Sequence, residues 1–231
     1  MGSIENLKQQ YNSKKVRIRE RLSQFEKFFN EPCSWHYMNG ELKLLPSEKN
    51  DDERIFEELS FCICTANASA EMGLKAVDSI RDVLIDGNLD EIRRRLKEVG
   101  YIYYNKRSEY ILYTRNHLKN MFNFELKNKI LSFNDKNELR KFFVTNIKGL
   151  WYKEASHFLR NIGFKGYAIL DKHVINSLHE FGVLETNNKP KNAKEYLEIE
   201  QKLIDFSKDI GIGIDELDLV LWSGKNGRIL K

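Results

Sequence analysis

Residues 146–175 read NIKGLWYKEASHFLRNIGFKGYAILDKHVI. A turn glycine, Gly149, separates two segments of helical periodicity, at 135–145 and 152–162. A short turn between two helices can aim backbone N–H groups at a phosphate, and Lys148 adds a positive charge beside it. In the second segment Ala155, Phe158, Leu159 and Ile162 form one apolar stripe, while Lys153 falls on the opposite side with His157 and Arg160. Spacing alone therefore places Lys153 outside the core, as a solvated lysine. Further on, Asp171 follows the apolar run YAIL and precedes Val174, Ile175 and Leu178, the position of a helix N-cap. The loop with Gly163 and Gly166 reverses the chain and allows Lys153 and Asp171 to approach each other. A lysine acts as a nucleophile only as the neutral amine. The positive end of a helix, neighbouring cations and desolvation under a substrate all favour that form.

Working outward, the chain has 231 residues, 41% hydrophobic and 31% charged, with a formal net charge of +4. That length holds a sizeable core, as one large domain or two small lobes. The mild basicity permits a polyanionic partner without demanding one. Cys33, Cys62 and Cys64 are the three cysteines, an odd small number that points to a reducing compartment and is too few for a four-thiolate iron–sulfur cluster. Cys62 and Cys64 would face nearly opposite sides of a helix and make a poor metal pair. No apolar run approaches bilayer length, and MGSIENLKQQ lacks the apolar core of a secretion signal. The expectation is a soluble, cytoplasmic protein.

With three prolines and many helix-compatible windows the chain reads as mostly α. Leu7, Tyr11, Ile18, Leu22, Phe25 and Phe29 mark one face of a helix over Ile4 to Phe29, and Lys14, Lys15, Arg17, Arg19 and Arg21 are read as its solvated flank. Asn39-Gly40 between short alternating segments predicts a small β-hairpin near 34–45. The aspartates of SEKNDD are expected to cap the next helix. Further helices are expected near 51–66, 70–86, 89–98, 105–120, 171–181, 192–209 and 214–222, with a surface loop at 185–192.

Several separated blocks resemble one family. KGLWYKEASHFLRN and AILDKH are similar to the helix–hairpin–helix DNA glycosylase superfamily, and more closely to its prokaryotic 8-oxoguanine DNA glycosylase/AP lyases of the second type. ELSFCICTANASAEMGLKA resembles that family's core helix and following turn, VGYIYYNKRSEYI its aromatic and basic loop, YLEIE a later helix, and ELDLVLW with GRILK its C-terminal helix and tail. The blocks span nearly the whole chain except about 31–52, read as an insertion.

The resemblance implies a single unit over 1–231, built of two helical subdomains with a DNA-facing cleft and a hairpin motif at about 135–162. It implies a monomer acting on double-stranded DNA that contains 8-oxoguanine, with no metal, no organic cofactor and no membrane, in a prokaryotic, DNA-associated setting. Lys153 takes the place of the nucleophile and Asp171 that of the catalytic aspartate. Trp222 and Lys231 match the base-recognition elements. Lys148, Gly149, Tyr103, Lys106 and Arg107 fall on DNA-binding segments. Two places depart from the family pattern: Ser223-Gly224 after Trp222 stand where aromatic or long residues are expected, and the hairpin expects a second glycine where this chain has Trp151. A variant with its ring packed aside, an engineered change and a weakened DNA-binding hairpin are three readings of that residue, and the alternative function is a non-catalytic or weakened damaged-DNA-binding module. The lysine and aspartate would equally suit a glycosylase for another oxidised base.

Overall fold

The computed structural model describes residues 3–227 and 229–231, with Lys225 and Asn226 described by backbone alone. Among these residues are eleven helices and one two-stranded sheet, so the expected mostly α class holds. The chain divides into two compact units. One is contiguous, Lys27–Phe158; the other is split, Met1–Glu26 with Leu159–Lys231.

The contiguous unit opens with strands β1 (Cys33–Met38) and β2 (Glu41–Pro46), antiparallel, with Met38 opposite Glu41. Asn39 and Gly40 between them have φ of +53° and +79°, the left-handed pair that a two-residue hairpin turn requires. Helix α2 (Asp51–Thr65) is buried from Arg54 to its end and forms the centre of this unit, with Phe56, Leu59, Phe61 and Ile63 in the core. Its N-cap is Asn50, whose Oδ1 accepts the Glu53 N–H at 2.9 Å, not an aspartate as the sequence suggested. Asp51 and Asp52 instead lie in the first turn, where the helix dipole favours negative charge. There Asp51 pairs with Arg54 and Lys127, and Asp52 accepts the Lys127 N–H at 2.7 Å.

Helix α3 (Ala70–Ile80) stops short of the predicted residue 86, and Arg81–Asp86 runs in turns. The Arg81 side chain there is held by Glu57 and by the Trp35 carbonyl at 2.8 Å. Helices α4 (Leu89–Glu98) and α5 (Tyr104–Phe122) follow, as periodicity predicts. Positive φ at Asn123 and Phe124 then ends α5 and starts α6 (Leu126–Leu131), which was not anticipated. With only Leu126 and Ile130 buried over six residues, α6 is too short to display a period. Helix α7 (Lys136–Asn146) is capped by Asp135, which accepts the Asn137 and Glu138 N–H groups at 2.8 Å. Helix α8 (Tyr152–Asn161) begins in this unit and ends in the split one.

The split unit holds most of α1 (Ile4–Asn30), the end of α8, α9 (Lys172–Glu180), α10 (Ala193–Ile210) and α11 (Ile214–Asn226). Leu7, Tyr11, Ile18, Phe25, Leu159, Ile162, Val174, Leu178, Leu203 and Val220 are buried in its core. Helix α11 runs past the expected residue 222. The apolar run before Asp171 is fixed by α10: the Tyr196 hydroxyl donates to the Ala168 carbonyl at 2.7 Å, and a Glu200 carboxylate oxygen accepts the Ala168 N–H at 2.9 Å. No helix among the described residues is long and apolar enough to cross a membrane.

Candidate active site

The α7–α8 hairpin turns on Gly149, whose φ of +89° lies in the left-handed region. Space demands glycine there as well. A Cβ at this position would sit 2.5 Å from a Tyr110 ring carbon and 3.2 Å from Arg107 Nη1. The hairpin thus rests on an aromatic and basic cluster from α5. Lys148 Nζ lies 4.7 Å from the centre of the Tyr113 ring, and Lys106 Nζ lies 5.5 Å from that of Tyr110. Arg107 is buried: its guanidinium donates to the Ala66 carbonyl at 3.0 Å and lies 5.4 Å and 5.9 Å from the Tyr110 and Tyr103 rings. It supports the cluster from beneath, whereas Tyr103, Tyr113 and the 75% exposed Ile102 form part of the surface. Ile102 was not singled out in the sequence. The available signal was an isoleucine flanked by tyrosines ahead of a basic helix.

Trp151 is partly exposed, with its ring edge-on to Tyr152 at 5.6 Å between centroids. Its backbone is outside the left-handed region. The turn therefore does not need glycine's backbone freedom at this position, and the ring has a neighbour to rest on.

Lys153 stands in the first turn of α8, its side chain 25% exposed, with Nζ 3.3 Å from Glu154 Oε1. Its helical neighbours correct the sequence reading. His157 and Arg160, placed with it on a polar side, are both buried. His157 meets Phe61 edge-to-face at 5.7 Å, and Arg160 pairs with Asp218 at 2.8 Å while lying over the Phe25 ring. Periodicity marked these two residues as polar without revealing their partners, which come from distant segments. Arg140 steadies the start of the helix, with its guanidinium 5.4 Å from the Tyr152 ring and Nη1 donating to Ser156 Oγ at 3.2 Å.

In the split unit, Asp171 is the N-cap of α9. Its Oδ1 accepts both the His173 and Val174 N–H groups at 2.8 Å. Among the described residues Oδ2 takes no hydrogen bond, so one oxygen shapes the helix and the other is open. Two groups near Asp171 were not singled out in the sequence. His173 has a buried Nδ1 without a hydrogen-bond partner among the described residues. Asp218 is buried, and burial pushes its carboxyl up to about 7; the charges of Asp171 and Asp215 add to that rise and Arg160 opposes it. The signal for His173 was the spacing Asp-x-His. For Asp218 it was an acid within the apolar run LDLVLW. Trp222 is partly buried on α11, and Ile229, Leu230 and Lys231 are all buried, so the end of the chain is packed rather than frayed. Arg228, within GRILK, lies outside the described residues.

A left-handed glycine turn that feeds a half-buried lysine into the first turn of the next helix, with an aspartate capping the helix after that, is the arrangement of the helix–hairpin–helix DNA glycosylase class. Residues 41–212 match the family model described as 8-oxoguanine DNA glycosylase. The chain is 43% identical over 183 residues to the 8-oxoguanine DNA glycosylase/AP lyase of Korarchaeum cryptofilum, covering 79% of this chain and 85% of that protein. It is 39% identical to the corresponding protein of Methanocaldococcus jannaschii, covering 80% and 86%. The crystal structure of the M. jannaschii 8-oxoguanine glycosylase/lyase with a 15mer DNA containing 8-oxoguanine superposes with a TM-score of 0.83 at 34% identity, covering 99% of both chains. That of the Thermotoga maritima 8-oxoguanine DNA glycosylase gives 0.81 at 33% identity, covering 99% and 98%. The chain belongs to the 8-oxoguanine DNA glycosylase family.

Proposed function

We propose that the protein excises 8-oxoguanine from double-stranded DNA and cleaves the strand at the resulting site, with Lys153 as nucleophile and Asp171 as the carboxylate that steadies the sugar. The observation that carries this reading is a lysine in the first turn of α8, directly behind a glycine-turned hairpin, in a chain alike over nearly its whole length to glycosylase/AP lyases. Lys148 and the hairpin amides hold a phosphate, and Tyr103 and Lys106 touch the strand from the α5 cluster. Trp222 stacks on the extruded base, and Lys231 reads its edge.

As the bond between C1′ and the base breaks, its electron pair leaves with the base and positive charge develops on the sugar. The open oxygen of Asp171 stabilises that charge. Lys153 Nζ forms a bond to C1′, and opening of the sugar ring gives a Schiff base. The Schiff base acidifies the C2′ proton; its loss expels the 3′ phosphate by β-elimination. The protein works as a monomer in the compartment that holds the DNA.

Borohydride reduction tests the reading. The wild-type protein should be trapped covalently on a duplex carrying 8-oxoguanine, and Lys153→Gln should give no trapped complex. Full-yield trapping of Lys153→Gln would show that another amine is the nucleophile. A trap repeated on duplexes with oxidised pyrimidines ranks the lesions.

A further inference from the structure

The buried face of α1 carries an anomaly. Positions 7, 11, 14, 18, 21, 25 and 28 follow one another at alternating steps of four and three, a single seam along the helix. Five of them are Leu7, Tyr11, Ile18, Phe25 and Phe28, all buried. The other two are Lys14 and Arg21. The sequence placed both on a solvated flank; they stand in the seam, where an apolar side chain would be expected.

Neither cation sits there at random. Lys14 Nζ donates to the Ser223 carbonyl at 3.1 Å and lies 3.2 Å from Ser223 Oγ. Ser223 is fully buried, directly follows Trp222, and belongs to the last turns of α11, where a cation complements the negative end of the helix. Two turns along α1, Arg21 Nη2 donates to the Ile229 carbonyl at 3.3 Å, and Nη1 to Gln24 Oε1 at 2.8 Å. Ile229 begins the buried segment that ends in Lys231. The placement of Arg21 is unfavourable for a cation: burial, with Arg160 and Arg17 close by, pushes it down to about 10. A seam optimised for stability alone would hold Leu or Met at both positions, since buried charge is often replaced by apolar packing without loss.

We propose that Lys14 and Arg21 are positioning residues for lesion recognition: Lys14 fixes the end of α11 behind Trp222, and Arg21 fixes the tail that presents Lys231. The proposal rests on the base-recognition reading of Trp222 and Lys231. It assigns to α1 a role in selecting the base and none in the chemistry at C1′.

That separation supplies the test. Strand cleavage at a preformed abasic site needs the lysine but no base recognition, whereas release of 8-oxoguanine needs both. Full-length Arg21→Leu, Arg21→Lys, Lys14→Met and a chain lacking Lys231 are compared on the two duplexes under single turnover, with thermal melting as the folding control. Arg21→Leu should lower 8-oxoguanine release at least about tenfold while abasic-site cleavage stays within about twofold of wild type. Arg21→Lys should recover part of the loss. Arg21→Leu combined with removal of Lys231 should be no worse than removal of Lys231 alone. Lys14→Met should show the same selective loss at smaller size. Equal losses on both duplexes, or full 8-oxoguanine release by Arg21→Leu, would overturn the positioning role. If removing Lys231 leaves release and discrimination against guanine intact, the base-recognition reading falls, and the proposal with it. A loss on removing Lys231 with none in Arg21→Leu sinks the proposal alone.

Discussion

The hairpin end of the contiguous unit and the tail end of the split unit are built in opposite ways. At the hairpin, Lys148, Gly149 and Lys153 lie within six consecutive positions, and one left-handed turn sets their geometry. At the tail, side chain to backbone hydrogen bonds across more than two hundred positions join Lys14 to Ser223, next to Trp222, and Arg21 to Ile229, in the segment that ends in Lys231. The hairpin depends on backbone conformation and the tail on tertiary contacts. Damage to the first should disturb DNA binding and chemistry together, whereas damage to the second should disturb only the choice of base.

The largest effect expected at the hairpin end is from Lys153→Gln, which removes the amine proposed to attack C1′. Base release and trapping should fall by at least about a thousandfold, while the melting temperature stays near that of wild type, because the lysine carries little of the core. In the split unit, Asp171→Asn keeps an oxygen able to cap α9 but removes the charge. Base release should drop about a hundredfold with little change in melting. Asp171→Ala should lose the same activity and also about 1 kcal/mol of stability for the missing cap. If the Asn and Ala variants retain full activity, Asp171 is a cap and nothing more.

Gly149→Ala should destabilise the protein by roughly 1–3 kcal/mol in denaturant titration, since the left-handed φ and the Tyr110 ring both oppose a Cβ. The same variant should weaken binding to duplex DNA. A neutral result would mean that the hairpin yields easily and that the contrast with the tail is overdrawn.

The next effect is a slope with pH. Burial raises the Asp218 carboxyl to about 7, so below that pH the folded protein favours a proton there that the unfolded chain releases near the usual carboxylate range. Between about pH 4 and about pH 7 the folded state therefore binds more protons, so stability from this group is greatest at the acid end and declines as pH rises, levelling off above about 7. Chemical denaturation across that range should show this decline in wild type and its removal in Asp218→Asn. The smallest effect expected is from Trp151→Gly, because the ring rests on Tyr152 and its backbone needs no left-handed freedom. DNA affinity should change by less than about threefold. A large gain would revive the reading of Trp151 as a weakening residue.

The same contrast explains what could be read in the sequence. The Asn39-Gly40 turn, the Asp171 cap and the Gly149 turn were legible because each is decided within about four residues, by backbone freedom or a side chain bonding its own helix start. Lys14, Arg21, His157 and Arg160 were misplaced on solvated faces for one reason. Periodicity assigns polar residues outward, and only the folded chain brings Ser223, Ile229, Phe61 and Asp218 to receive them. The Asn50 cap was missed by a single position because the two aspartates beside it are equally capable cappers. The roles proposed for Lys153 and Asp171 were beyond spacing altogether. The resemblance of whole blocks suggested them, and what the structure adds is the open oxygen of the aspartate.

The division of the chain also bears on how it is made. Residues 27–158 form one uninterrupted unit and can pack as soon as they have left the ribosome. The other unit cannot close at that stage, because the first 26 residues must wait for everything from residue 159 onward. Until then the apolar seam of α1 has no partner from its own unit. The hydrogen bonds to Ser223 and Ile229 join segments from opposite ends of the sequence and form among the last. The part of the protein proposed to choose the base thus forms only once both of its segments have been made.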